Sequence, residues 1–223
     1  MMCGLAMLFF GCEPTTPPNN ALKKGHEDPV KAEIVFTPGE LSQENIQDNV
    51  YAKGFTPMPD VTPEIFTMNV KIGKGEATSP GIKLKPGVWY KVDVKFYNRA
   101  GENIVYQFTD SKAARSIHQF FFQPRATDEI TKILNDVIDY RYGDLDKDGN
   151  LYPTPIGFQG YLRIASETQL KAFNLWVVLV HLSGNLVKEM CNGNACPFDK
   201  PSLYILRRSD RDNDFTIPVD IVR

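Results

Sequence analysis

Apolar and polar residues alternate along much of this chain, with the two-residue period of a β-strand that buries one face. In the clearest run, residues 88–96, apolar side chains occupy the even positions, and lysine or aspartate occupies positions 91, 93 and 95. The same alternation recurs at residues 66–72 and 215–221. We therefore predict three half-buried strands, the last of them at a sheet edge because Pro218 has no N–H to donate to a neighbouring strand.

The run from Phe173 to Leu182 is apolar at odd and even positions alike, which is typical of a central strand covered on both faces. Helical periodicity is rare, and it is clearest from Asp128 to Asp136. A turn or two of helix is also expected from Asp110 to Ser116. Short strands separated by Gly and Pro turns predict an all-β fold, an Ig-like antiparallel β-sandwich with one or two short helices.

The N-terminus differs from the rest of the chain. Residues 1–10 are apolar and uncharged, whereas residues 13–20 are rich in Pro, Thr and Asn. This order predicts a lipoprotein signal peptide over residues 1–11, a flexible tether over residues 12–25 and a β-sandwich domain, of one or two subdomains, over residues 26–223. The residues just before Cys12 are similar to a relaxed lipobox, which predicts lipidation of that cysteine. The alternative is an N-terminal strand that buries Cys12.

Charge and cysteine use narrow the class of protein. The 25 basic and 27 acidic residues almost cancel and are scattered, so we expect no nucleic-acid partner. Cys191 and Cys196 flank an Asn-Gly turn, and an exported protein can close such a loop with a disulfide. A metal role for this pair is disfavoured, because no second pair of cysteine or histidine ligands lies nearby.

The chain contains three histidines, each near the end of a predicted strand. His26 precedes the first strand, His118 lies in the aromatic run from Ile117 to Gln123, and His181 ends the central strand. If the fold gathers these strand ends, three imidazoles and a carboxylate, such as that of Glu27, form a site for zinc or copper. The alternative is that the three are unrelated core histidines, each satisfied by hydrogen bonds.

An acidic turn offers a second candidate site. Asp144, Asp146 and Asp148, with Gly149 at the sixth position, match the opening of an EF-hand calcium loop. Pro155 stands at the twelfth position, where such loops need glutamate, so a turn held by Asx hydrogen bonds is favoured over calcium binding. Nucleophile elbows, phosphate-binding glycine loops and His-Glu-x-x-His helices are absent from the sequence, and we expect no enzymatic activity.

Several short blocks resemble a family of small Bacteroidota envelope lipoproteins that are often encoded beside TonB-dependent receptors. The family's His-Glu-Glu block corresponds to residues 26–28 of this chain, and its His-Gln-Phe-Phe-Tyr block to residues 118–122. Its acidic turn corresponds to residues 140–157, its Leu-x-His block to residues 179–181 and its closing strand to residues 214–222. The match is not complete, because Asp28 and Phe122 replace the family's glutamate and tyrosine. All three histidines nevertheless fall within these blocks.

The resemblance implies a protein that is lipid-anchored in the outer membrane, on its periplasmic or cell-surface face, and that captures or hands over a nutrient. We therefore expect His26, Glu27, His118 and His181 to bind zinc, copper, iron or haem. A TonB-dependent receptor is the implied recipient.

A rival interpretation comes from the aromatic residues. It is a structural or adhesive sandwich, with or without calcium, that binds protein or glycan through exposed aromatic side chains such as Trp89, Tyr97 and Tyr161. This interpretation predicts that the histidines are scattered over the fold and that the aromatic side chains line one groove.

Overall fold

The computed structural model describes residues 25–43, 51–71, 74–153, 155–183, 188, 190–191, 194–195 and 203–223. The strands in these residues are β1 (Lys31–Gln43), β2 (Lys53–Pro57), β3 (Glu64–Lys71), β4 (Lys74–Ala77), β5 (Ile82–Leu84), β6 (Trp89–Tyr97), β7 (His118–Arg125), β8 (Ile138–Tyr142), β9 (Gln159–Ile164), β10 (Ala172–His181), β11 (Met190–Cys191), β12 (Asn194–Ala195) and β13 (Asp210–Ile221). The helices are α1 (Tyr106–Thr109), α2 (Lys112–Ile117) and α3 (Leu203–Arg208). None of these helices is long and apolar enough to cross a membrane.

Eleven of the described strands form one sheet, in the order β7-β10-β13-β4-β3-β1-β6-β9-β8, with β2 added to β1 and β5 to β13. The sheet curls until its two end strands meet. There the Tyr142 hydroxyl donates to the Phe120 carbonyl at 2.7 Å, and the Phe122 and Tyr140 rings stack at 4.1 Å. The all-β prediction is confirmed. The two separate sheets of an Ig-like sandwich are not seen, because β13 pairs with β10 on one side and with β4 and β5 on the other and so joins the two halves.

The main core fills the inside of the curled sheet. Its largest members are fully buried aromatic side chains, including Phe36, Phe66, Phe96, Phe120 and Phe173. Burying each such ring contributes about 1.5–3 kcal/mol.

A second cluster packs helix α3 against the outer face of β7 and β10. It joins Ile205 of α3 to Phe121, Trp176, Val178 and Val180. Strand β10 is therefore covered on both faces, as its uninterrupted apolar run predicted.

Strand β13 is not the edge strand that Pro218 suggested. It lies inside the sheet, and Pro218 is opposite Asn174 of β10. On the other side of β13, strand β4 pairs at Asp214 and strand β5 pairs from Val219 onward. Along β13, Pro218 thus lies between the residue that pairs with β4 and the segment that pairs with β5, and among the described residues no strand is opposite it on that side.

Residues 128–136 do not form the predicted helix. They make turns around an isolated bridge between Arg125 and Ile133. Ile130 and Ile133 have the spacing of a helical face, but they remain 56% and 48% exposed. Val137 and Leu134 do reach the main core, but they do so from the turn before β8. With half of its apolar face exposed, a nine-residue helix gains too little from packing to offset its nucleation. The helix expected at 110–116 is confirmed by α2.

Candidate metal centre

Four side chains converge on one point inside the fold. Asp212 Oδ2 lies 3.3 Å from each of three ring nitrogens, His26 Nε2, His118 Nε2 and His181 Nδ1. These donor atoms all lie within 4.8 Å of one another. Only the His181 side chain is appreciably exposed, at 12%. The three histidines are thus brought together, as the sequence predicted.

The distances suit a tetrahedral metal ion. Zinc bonds of 2.0–2.1 Å at tetrahedral angles place neighbouring donor atoms roughly 3.3–3.4 Å apart. Each of the three contacts between Asp212 and an imidazole has this length. The three edges that meet at Asp212 Oδ2 therefore match edges of a coordination tetrahedron, and the three edges between ring nitrogens are no longer than 4.8 Å.

Two of the histidines are held with a lone pair facing the centre. His26 Nδ1 lies 3.0 Å from the carbonyl oxygen of Glu27, and His118 Nδ1 lies 2.7 Å from that of Ala114. A carbonyl oxygen only accepts, so both Nδ1 atoms carry the proton and both Nε2 atoms present a lone pair. Outer-shell carbonyls of this kind orient histidine ligands in metal sites.

Hydrogen bonds do not account for the convergence. None of the three facing nitrogens has a hydrogen-bond partner, although all three are inaccessible to solvent. A buried polar atom left in this way costs about 1–3 kcal/mol. A cation between the nitrogens and the carboxylate removes this cost, because every lone pair then points at positive charge.

Electrostatics favour the metal-binding protonation states. Burial lowers the pKa of His118 and outweighs the opposing effect of Asp212, which favours the neutral imidazole. Burial alone would raise the pKa of Asp212, but in the ion-free protein positive charge on the facing His118, His181 and His26 outweighs burial and holds that pKa far below the usual range. A bound cation supplies the same positive charge while the imidazoles stay neutral. Neutral imidazole and ionised carboxylate are the forms that bind metal ions.

The sheet explains how the distant residues meet. His118 begins β7, His181 ends β10, and the two are cross-strand partners. Along β13 the register with β10 shifts between Leu179 and Val180, which makes Asp212 the extra residue of a β-bulge. A bulge re-aims a side chain, and here it turns the Asp212 carboxylate toward the histidines.

His26 comes from outside the sheet, on a segment that we call the N-terminal strap, residues 25–30, which precedes β1. Its ring packs against Phe108 of α1, with centroids 4.1 Å apart and the ring planes tilted, and the Phe108 ring also lies 5.1 Å from the His118 ring. This phenylalanine forms an apolar wall on one side of the centre.

Glu27 does not contribute its carboxylate to the centre. Its two carboxylate oxygens accept from Gln107 Nε2 at 3.0 Å and from Asn98 Nδ2 at 3.4 Å.

Asp212 supplies the fourth donor, and this residue was not predicted from the sequence. The one available signal was the repeat of aspartates at 210, 212 and 214 just before the last strand, but strict alternation assigns position 212 to the outer face.

Two carboxylates of the acidic turn, those of Asp144 and Asp146, accept backbone hydrogen bonds. Asp144 is buried and accepts three backbone N–H groups, those of Ile156, Gly157 and Gln159. Asp146 accepts from the N–H groups of Asp148 and Asn150, as an Asx turn does. Within the described part of the chain, Asp144, Asp146 and Asp148 do not form a metal-binding group.

The exposed aromatic groove of the rival interpretation is not formed. Trp89 and Tyr161 are buried, at 5% and 3% exposure, and Tyr97 is half-buried.

Cys12 and Cys196 lie outside the described residues, and of Cys191 only the backbone is described. Lipidation of Cys12 and the Cys191–Cys196 disulfide therefore stay predictions.

The donor set is three imidazoles and one carboxylate, without a sulfur ligand. Such a set suits zinc, iron(II) or copper(II) and is a poor match for copper(I), which prefers thiolate and thioether.

In comparisons with known proteins, no family model matches this chain and no curated protein is significantly similar to it. What the protein does must therefore be argued from the geometry of this centre.

Proposed function

We propose that this protein binds one divalent transition-metal ion, preferentially zinc, through His26, His118, His181 and Asp212. The observation that carries the proposal is the 3.3 Å distance from Asp212 Oδ2 to all three ring nitrogens. Haem fits less well. Haem iron takes its protein ligands along one axis, on the two faces of a flat macrocycle, whereas here four donors crowd within 4.8 Å.

The ion is exchanged rather than kept for structure alone. Three of the ligands lie on the neighbouring strands β7, β10 and β13, whereas His26 lies on the N-terminal strap. Glu27 N donates to Gln107 Oε1 at 2.7 Å, and this contact is exposed to solvent. When the strap lifts, the three sheet ligands retain the ion and leave one position open. An incoming ligand can then enter at that position and remove the ion.

The cellular role that we propose is that of a metal-delivering envelope lipoprotein. Export and lipidation at Cys12 would hold it at the outer membrane, on the periplasmic or cell-surface side. A TonB-dependent receptor would take part in the transfer. This part of the proposal is supported by the N-terminal sequence and by the family resemblance, in which all three histidines lie in matching blocks.

Metal analysis of protein purified without an affinity tag tests the binding function. We expect one bound zinc ion per chain after zinc loading and dialysis against a chelator, and much less in His118→Ala or Asp212→Ala, because each variant keeps only two of the three sheet ligands. Asp220→Ala is the matched control, because Asp220 is an exposed carboxylate on the same strand. Equal and negligible metal in the wild type and the variants would overturn the proposal.

A further inference from the structure

A cleft of about 410 Å³ lies on the outer face of the sheet, away from the metal centre. Helix α3 and the loop at residues 126–137 form its sides, and Trp176 and Thr216 belong to the strands beneath. Three arginines line it, Arg125, Arg207 and Arg211. Its volume falls within the roughly 300–1,000 Å³ of small-molecule sites.

The positive charges in this cleft are only partly balanced. Asp214 is its one acidic lining residue, and it is already shared between Arg211 and the indole N–H of Trp176, which donates at 2.6 Å. Among the described residues, Arg125 and Arg207 form no ion pair. The lining therefore carries three positive charges against one negative charge, on a chain whose overall net charge is −2.

Arg125 is placed as a rigid anion receptor. Its guanidinium lies over the Trp176 ring at 3.8 Å, and its Nε donates to Gln123 Oε1 at 3.2 Å. Stacking and this hydrogen bond fix the plane of the guanidinium, so its outer N–H groups are pre-oriented for two parallel bonds to an oxyanion. Burial lowers the pKa of Arg125, nearby Asp214 partly opposes this effect, and Arg211 adds to it. A bound anion would act in the same direction as Asp214.

The rim of the cleft is apolar. Leu203 of α3 is 68% exposed and Ile130 of the facing loop is 56% exposed. Both side chains line the same cavity as the arginines. A ligand that satisfies both surfaces has an anionic group and an apolar body.

We propose that this cleft binds a small organic anion, a carboxylate or phosphate ester with an apolar or aromatic body. Its oxyanion contacts Arg125 and Arg207, and its body lies between Ile130 and Leu203. This site faces away from the metal centre and does not depend on a bound metal ion.

Isothermal titration calorimetry with benzoate and phenyl phosphate tests the proposal and separates the two oxyanions. We expect saturable binding of at least one of them, no binding of benzylamine, and weaker binding of inorganic phosphate, which lacks the apolar body. Arg125→Gln and Arg207→Gln should each weaken binding about tenfold or more, because each removes a charge-assisted hydrogen bond. Arg99→Gln is the control, since Arg99 is exposed in the turn after β6.

Arg207 is exposed on α3, so Arg207→Gln should fold even if Arg125→Gln, which removes the stack on Trp176, does not. Absence of saturable binding by both organic anions would overturn the proposal. Benzylamine binding as tightly as benzoate, or an Arg207→Gln variant that binds as the Arg99→Gln control does, would overturn it equally.

Discussion

His118 and His181 are cross-strand partners at the ends of β7 and β10, and their rings meet edge to face with centroids 4.5 Å apart. Backbone hydrogen bonds of the sheet therefore fix two ligands before any ion binds. Asp212, on the other neighbour of β10, is placed by a bulge in the same sheet. Only His26 depends on a segment outside the sheet, so the centre consists of three pre-positioned ligands and one that closes it.

Removal of the metal should lower stability without abolishing the fold. A ligand that binds only the native state adds about 4 kcal/mol at a thousandfold excess over its Kd. We expect the melting temperature to fall in the presence of a strong zinc chelator. Stoichiometric zinc should restore it, and calcium or magnesium should not. Equal melting temperatures with and without chelator, in protein shown to contain zinc, would contradict this prediction.

Replacing Asp212 with Asn should weaken zinc binding more than the loss of an outer-shell partner does. Loss of such a partner typically lowers metal affinity about 10–100-fold. The amide keeps the size of the side chain but removes the negative charge that faces three imidazoles. A competition titration against a chromophoric chelator measures the affinity. Asp220→Asn serves as the control, and equal zinc affinity in the two variants would exclude Asp212 as a ligand.

Opening of the N-terminal strap should control the rate of zinc release. Gln107→Ala removes both hydrogen bonds that this side chain makes with Glu27, at 2.7 and 3.0 Å, and touches no ligand of the ion directly. We expect release to a chelator, followed by stopped flow, to become about tenfold faster, the lower end of outer-shell effects.

Gln169→Ala is the control for this experiment. Gln169 is an exposed glutamine in the loop before β10, and its side chain bonds only to the Glu167 carbonyl and to Arg223. Identical release rates in the two variants, with zinc bound in both, would argue against the strap as the gate. That result would not contradict the proposal that the four residues of the metal centre bind zinc.

Alternation predicted most of the sheet, because the strands β3, β6 and β13 bury every second side chain. Alternation also placed each histidine near the end of a strand. Because the ends of neighbouring strands lie side by side in a sheet, this placement predicted that the histidines could meet. Asp212 was missed for the same reason that the strands were found. A one-residue bulge reverses the alternation locally, and nothing in the sequence before Phe215 marks that bulge.

The closure of the sheet was likewise not predictable. It depends on contacts between β7 and β8, such as the bond from the Tyr142 hydroxyl to the Phe120 carbonyl. The helix predicted at 128–136 failed because periodicity records only spacing. Leu134 packs against the core, but Ile130 and Ile133 remain exposed, so the helical face as a whole is not covered.

Asp144 should matter for stability and not for metal binding. Its buried carboxylate accepts three backbone N–H groups at 2.7–3.0 Å. In Asp144→Asn the amide nitrogen must face at least one of those donors, which costs about 1–3 kcal/mol. Since about 2–4 °C of melting temperature corresponds to each kcal/mol in a chain of this size, thermal unfolding can resolve the change.

Asp148→Asn is the matched control for Asp144→Asn, because its carboxylate is exposed on the same turn and should be replaceable without loss. Both variants should still bind one zinc ion per chain, since the acidic turn shares no ligand with the metal centre. The turn nevertheless adjoins the strand that carries His118, because Phe120 N donates to Ile156 O at 2.7 Å. Loss of zinc from Asp144→Asn at a temperature where it is folded would mean that this turn holds β7 in its metal-binding position.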